Sequence, residues 1–124
     1  MPDRDRTILI VEDEPLIRID LADTVMDMGY SVLEAGNADE AVRLLVEHKG
    51  IIAVITDVDM PGSMDGRKLA ELVYSRWPAC VLIVVSGQRK LTQADLPQGA
   101  RFLAKPLQVP LLDRVMGELG LRPY

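Results

Sequence analysis

The feature that most constrains this chain is a set of short, unbroken, β-branched apolar runs: Ile8–Val11, Ile51–Ile55 and Val81–Val85. A strand exposed on one face alternates apolar and polar residues. These runs do not, so both of their faces must be covered, as in a parallel sheet flanked by helices on each side. Helical spacing follows the runs. Leu16, Ile17, Leu21, Val25 and Met28 recur on one face after the first, and Met28-Gly29-Tyr30 stops that helix. Ser31–Ala35 reads as a weaker edge strand, and Asn37 with Glu40 three residues on as the N-cap of a helix through Ala41, Leu44, Leu45 and His48. Leu69, Leu72, Val73 and Trp77 line a third helix that ends at Pro78. Arg101–Ala104 is the last strand, and Leu111, Leu112, Val115, Met116 and Leu119 line a closing helix. Gln88–Gly99 is the least regular stretch, where any helix is short. Five βα units in this order predict an α/β fold: an open, doubly wound, five-stranded parallel sheet with right-handed crossovers and strand order 2-1-3-4-5.

Composition narrows the class of function. At 124 residues the chain is one domain, and no linker, repeat or low-complexity segment divides residues 1–124. The net charge is −5 from 14 basic and 19 acidic side chains, with no basic stripe, which argues against nucleic acid as a partner. No run is long enough to span a bilayer, and Met1–Arg6 does not read as a secretory signal, so a cytoplasmic location without membrane contact is expected. The single cysteine, Cys80, borders an apolar run and reads as a small core residue. Met26, Met28 and Met116 read as core, Trp77 as a packing anchor, and His48 as a solvent-facing helix terminus.

In an open parallel sheet the functional rim lies beyond the carboxyl ends of the strands, where strand order reverses. The first strand runs into Glu12-Asp13, the third into Thr56-Asp57, the fourth into Ser86 and the fifth into Lys105. The expected order puts strands one and three side by side, and so Glu12 and Asp13 beside Asp57. Three carboxylates this close repel unless a positive charge lies between them. Mg²⁺, which prefers oxygen ligands, suits the set, and Lys105 supplies a second cation. Carboxylate, Mg²⁺, hydroxyl and ammonium together suit phosphoryl transfer to a carboxylate. Each residue alone has a plainer role: Asp13 as helix N-cap, Ser86-Gly87 as a turn, Lys105-Pro106 as a loop. Their coincidence on one rim favours chemistry.

The same residues resemble the receiver domain of bacterial response regulators, single-domain and chemotaxis-regulator-like, over essentially the whole chain. The match rests on Glu12-Asp13, Asp57-x-x-Met60-Pro61, Asp65-Gly66, Ser86-Gly87, and Gly99-Ala100 leading to Lys105-Pro106, at intervals close to the family's. The resemblance implies a flavodoxin-like (βα)5 fold and a phosphoacceptor at Asp57. It implies Mg²⁺ held by Glu12, Asp13, Asp57 and the backbone carbonyl of Asp59. It also implies phosphoryl contacts from Ser86 and Lys105, and an aromatic switch at Phe102 coupled to Ser86. Four departures stand out. The loop Met60–Gly66 has one extra residue, and the stretch between Ser86 and Lys105 is short, so helix four should be short or distorted. Phe102 replaces the commoner tyrosine. Asp59 is acidic and, aimed at the pocket, would alter phosphoryl lifetime.

After the closing helix only Gly120–Tyr124 remains, so no output domain is expected. The resemblance implies a stand-alone regulator, phosphorylated by a histidine kinase or phosphotransfer protein, that signals by binding an unknown partner or by relay. Catalysis would be limited to its own phosphorylation and dephosphorylation. A homodimer through the helix-four to helix-five face is a further expectation. The alternatives are a receiver excised from a hybrid kinase or larger regulator, and a binding module used without phosphorylation. An enzyme reading starts from Asp57-Val58-Asp59, which resembles the paired aspartates of haloacid-dehalogenase-type phosphatases. There the motif normally follows the first strand rather than the third.

Overall fold

The computed structural model describes residues 6–58, 66–87, 96–97, 99–105 and 107–121. In chain order the elements are β1 (Thr7–Val11), α1 (Pro15–Asp27), β2 (Ser31–Ala35), α2 (Ala38–Glu47), β3 (Ile51–Asp57), α3 (Gly66–Arg76), β4 (Val81–Ser86), β5 (Arg101–Ala104) and α4 (Val109–Glu118). All neighbouring strands are parallel, in the order β2-β1-β3-β4-β5. The expected flavodoxin-like sheet is therefore present. The segment expected to carry a short helix between Ser86 and Gly99 falls largely outside the described residues, as do Asp59, the loop Met60–Asp65 and Pro106.

The continuously apolar strands are buried on both sides, as their composition requires. Leu9, Val11, Val54, Leu82 and Val84 point into one layer with Ala41 and Leu45 of α2 and Leu69 and Val73 of α3. Ile8, Ile10, Ala53, Ile55, Ile83 and Val85 point into the other with Ala22 and Val25 of α1 and Leu112, Val115 and Met116 of α4. Each fully buried Ile, Leu or Val contributes about 1.5–3 kcal/mol relative to an exposed one.

Local signals behave as read. Asn37 caps α2, its Oδ1 accepting from the Glu40 N–H at 2.8 Å. Gly29 ends α1 with φ of 104°, a conformation that costs other residues a Cβ clash. His48 is exposed, Trp77 packs partly buried against the core, and burial pushes the Cys80 thiol up to about 12, away from reactivity.

Three readings need correction. The N-cap of α1 is Glu14, not Asp13, and no side chain caps it in the usual way. Instead Glu12 Oε1 reaches forward to accept the Glu14 N–H at 3.2 Å. Of the apolar face expected for α1, Val25 is buried and Leu21 and Met28 pack partly buried beside Ala22, whereas Leu16 is 77% exposed and Ile17 48%. Apolar residues occupy almost every side of this helix, so periodicity does not select the packed one. For the same reason Met26, read as core, is half exposed.

Candidate functional site

Each rim residue stands on the last rung of a strand ladder. Glu12 N–H donates to the Ala35 carbonyl at 3.1 Å, one step past β1. Val58 N–H donates to Val85 just beyond Asp57, and Lys105 N–H donates to the Ser86 carbonyl at 3.0 Å. Backbone pairing thus sets the height of every chemical group above the sheet, and the order β1-β3-β4-β5 sets their lateral sequence.

The side chains converge. Lys105 Nζ lies 2.8 Å from Asp57 Oδ2 and 3.6 Å from Glu12 Oε2. One carboxylate oxygen from each of Glu12, Asp13 and Asp57 falls within 4.8 Å of the others. Asp57, Glu12 and Ser86 are buried at 4%, 4% and 3% exposure, while Asp13 is open to solvent. Asp57 is nonetheless reachable, because a cavity of about 550 Å³ between α1 and α4 ends at Glu12, Asp57 and Lys105. Its walls are mostly apolar, with Ile17, Leu21, Ile55, Val85, Leu107 and Leu112 among them beside Asp20 and Thr24.

The arrangement holds more negative than positive charge. The Glu12 carboxyl is raised to about 7, first by burial, then by its hydrogen bond to Asp57 and the Asp57 charge. The Glu14 N–H and Lys105 pull the other way but do not cancel the rise. A cluster of hard oxygen donors that resists being fully ionised without more positive charge suits Mg²⁺. The donor set therefore fits the ion.

The family model for the response regulator receiver domain matches residues 8–116. This chain is a response regulator receiver domain.

The receiver is 38% identical over 106 residues to the transcriptional regulatory protein PdtaR of Mycobacterium tuberculosis, covering 84% of this chain and 51% of that protein. It is 34% identical over 117 residues to the sensor kinase CckA of Brucella abortus, covering 91% of this chain and 12% of that one. Among solved structures, a response regulator receiver domain from Clostridium thermocellum superposes with a TM-score of 0.84 at 25% identity, covering 92% and 93% of the two chains. The receiver domain of the hybrid histidine kinase CckA superposes with a TM-score of 0.73 at 30% identity, covering 91% and 97%. The chain spans about half the length of PdtaR and a far smaller share of the kinase.

Of the residues singled out from sequence, the receiver's fold brings Glu12, Asp13, Asp57 and Lys105 together, with Ser86 on the adjoining rung. Phe102 lies in β5 opposite Val84 and packs partly buried into the layer of α2 and α3, across the sheet from α1 and α4. Asp59 lies outside the described residues. Two features were not read from sequence. One is the apolar cavity, whose walls come from both ends of the chain. The other is Arg18, whose Nη1 donates to the Glu12 carbonyl at 3.0 Å and whose Nε donates to Glu34 Oε1 at 3.2 Å. Its signal was present: it is the one basic residue of α1, and it sits in the helix's first turns, where the dipole disfavours a cation. Such a residue needs a compensating acceptor.

The raised Glu12 value has a consequence for metal-free receiver. A carboxyl with a folded pKa above its unfolded value of 4.5 binds its proton more tightly in the native state. Its stabilising contribution is complete below about pH 4.5 and is lost as pH rises through 7. In EDTA, the stability of wild type minus that of Glu12→Gln should fall by on the order of 2 kcal/mol between pH 4.5 and 8. Urea unfolding across that range measures it, and a flat difference would show that Glu12 titrates normally.

Proposed function

We propose that this receiver accepts a phosphoryl group on Asp57 in a Mg²⁺-dependent reaction, and signals through partner binding or phosphorelay. The observation that carries the reading is the Asp57 carboxylate itself. It is buried, flanked by Lys105 at 2.8 Å and by two further carboxylates, and open to a cavity.

An Asp57 oxygen attacks phosphorus, an O–P bond forms, and the bond from phosphorus to the donor breaks. With a phosphohistidine donor, a P–N bond is lost and the imidazole leaves. Lys105 neutralises Asp57 before transfer and pairs with a phosphoryl oxygen after it. Glu12 and Asp13, with Asp57 and the Asp59 carbonyl, would hold Mg²⁺, which supplies charge neutralisation for the transferring group. The Ser86 hydroxyl donates to a phosphoryl oxygen, and Phe102 repacks in response. Phosphorylation then biases a two-state element through a contact present in only one state. The donor would be a histidine kinase or phosphotransfer protein in the cytoplasm. The reactions are phosphoryl uptake and its hydrolysis on the receiver itself, not turnover of a separate substrate.

Incubation with acetyl phosphate and Mg²⁺, followed by intact mass, tests the reading. One added phosphoryl group, absent when EDTA replaces Mg²⁺, is the expected result. No added mass with any phosphodonor would sink the mechanism and leave a receiver used as a binding module.

A further inference from the structure

We infer that Arg18 is a positioning residue for the acidic pair Glu12-Asp13, clamping the loop that presents these carboxylates to a divalent cation. The inference rests on the Mg²⁺ reading of the site proposed above.

The chain leaves β1 at Val11 and enters α1 at Pro15, so Glu12, Asp13 and Glu14 form a three-residue corner. The corner is held from both sides. Its entry is pinned by the Glu12 N–H on the Ala35 carbonyl of β2. The Glu12 carbonyl, the next polar group along, accepts from Arg18 Nη1 at 3.0 Å. The same guanidinium places Nε on Glu34 of β2 at 3.2 Å. One planar fork therefore ties the corner to the neighbouring strand, and the backbone of α1 closes the loop with Arg18 N–H on the Glu14 carbonyl at 2.9 Å. Gly36 borders the fork: a Cβ there would lie 3.3 Å from Nη1, a tight contact. The residue after β2 thus leaves the guanidinium its space.

Arg18 touches neither the carboxylate oxygens of the cluster nor any reacting atom, and it acts through the Glu12 peptide. Its ion pair with Glu34 is part-exposed, with side-chain exposures of 22% and 39%, so it contributes little to global stability. Its importance lies in geometry. Groups that orient metal ligands typically change affinity by about 10–100-fold when removed.

Charge and positioning make opposite predictions. Removing a cation beside an acidic cluster should tighten binding of a divalent ion if Arg18 acts through its charge alone. Removing a clamp should weaken it. The test titrates Mg²⁺ alone, with no phosphodonor, into wild type, Arg18→Met, Arg18→Lys and Glu34→Gln, following the amide NMR shifts of residues 12–14. The thermal midpoint of each variant in EDTA provides the stability control. We expect Arg18→Met to bind Mg²⁺ about tenfold more weakly, with the midpoint in EDTA close to wild type. Arg18→Lys, which keeps the charge but not the fork, should also bind more weakly, and Glu34→Gln, which reduces the anchor on β2 from an ion pair to a neutral hydrogen bond, should show a smaller loss. Unchanged or tighter binding by Arg18→Met would overturn the inference while leaving the receiver's Mg²⁺ site standing. No Mg²⁺-dependent shift in wild type would overturn both.

Discussion

Replacing Asp57 with asparagine is expected to remove phosphoryl uptake, with a loss of at least about 100-fold in modified protein under conditions that label wild type. The amide keeps the size of the side chain but has no anionic oxygen to form the acyl phosphate. The fold should persist. Asp57 sits at the end of β3, and its backbone rung is unaffected by the exchange. Lys105 keeps the Glu12 carboxylate within 3.6 Å, so the ammonium is not left without a counter-charge. The Asp57 charge that helps hold the Glu12 carboxyl at about 7 disappears, so Glu12 should ionise at lower pH in this variant. Intact mass after acetyl phosphate treatment reads the first effect, and carboxyl NMR titration reads the second. Persistent labelling of the variant would move the acceptor elsewhere, with Asp13, the exposed carboxylate of the cluster, as the first position to test.

Leu9→Ala is expected to cost about 2–5 kcal/mol, a large share of the roughly 5–15 kcal/mol that holds a domain folded. Leu9 is fully buried in β1, an interior strand of the sheet, beside Leu33 of β2 and Val54 of β3. Truncation leaves a void between the sheet and the layer of α2 and α3, and β1, paired on both sides, cannot shift to fill it. Leu16→Ala in α1 removes the same atoms from a side chain that is 77% exposed, and should change stability by no more than about 0.5 kcal/mol. Urea unfolding of the two variants beside wild type measures the contrast. Equal losses would show that the corner at the start of α1 is packed in solution against something.

Much of this was legible from the residues alone, because the determining information is local. Unbroken apolar runs require strands covered on both faces, and helical spacing between them requires crossovers, so layer order and sheet type follow. The carboxyl ends of those strands then name Glu12, Asp57, Ser86 and Lys105. Asn37 and Gly29 set helix ends through contacts or backbone angles within a few residues of themselves. What depended on separations of many residues was not legible. The face that α1 buries was only partly legible because Leu16, Ile17, Ile19 and Met26 spread apolar residues over several sides of the helix, and packing against β1 and β2 decides between them. The clamp of Arg18 needs Glu34, sixteen residues away on another element. The cavity needs α1 and α4 from opposite ends of the chain to flank the same face of the sheet. The raised ionisation of Glu12 needs burial beside Asp57. Which groups reach the rim follows from the order of residues along the chain, because strand ends are local. How closely they stand, what charge they carry and what holds them there depend on packing, because those properties arise from contacts between elements far apart in the chain.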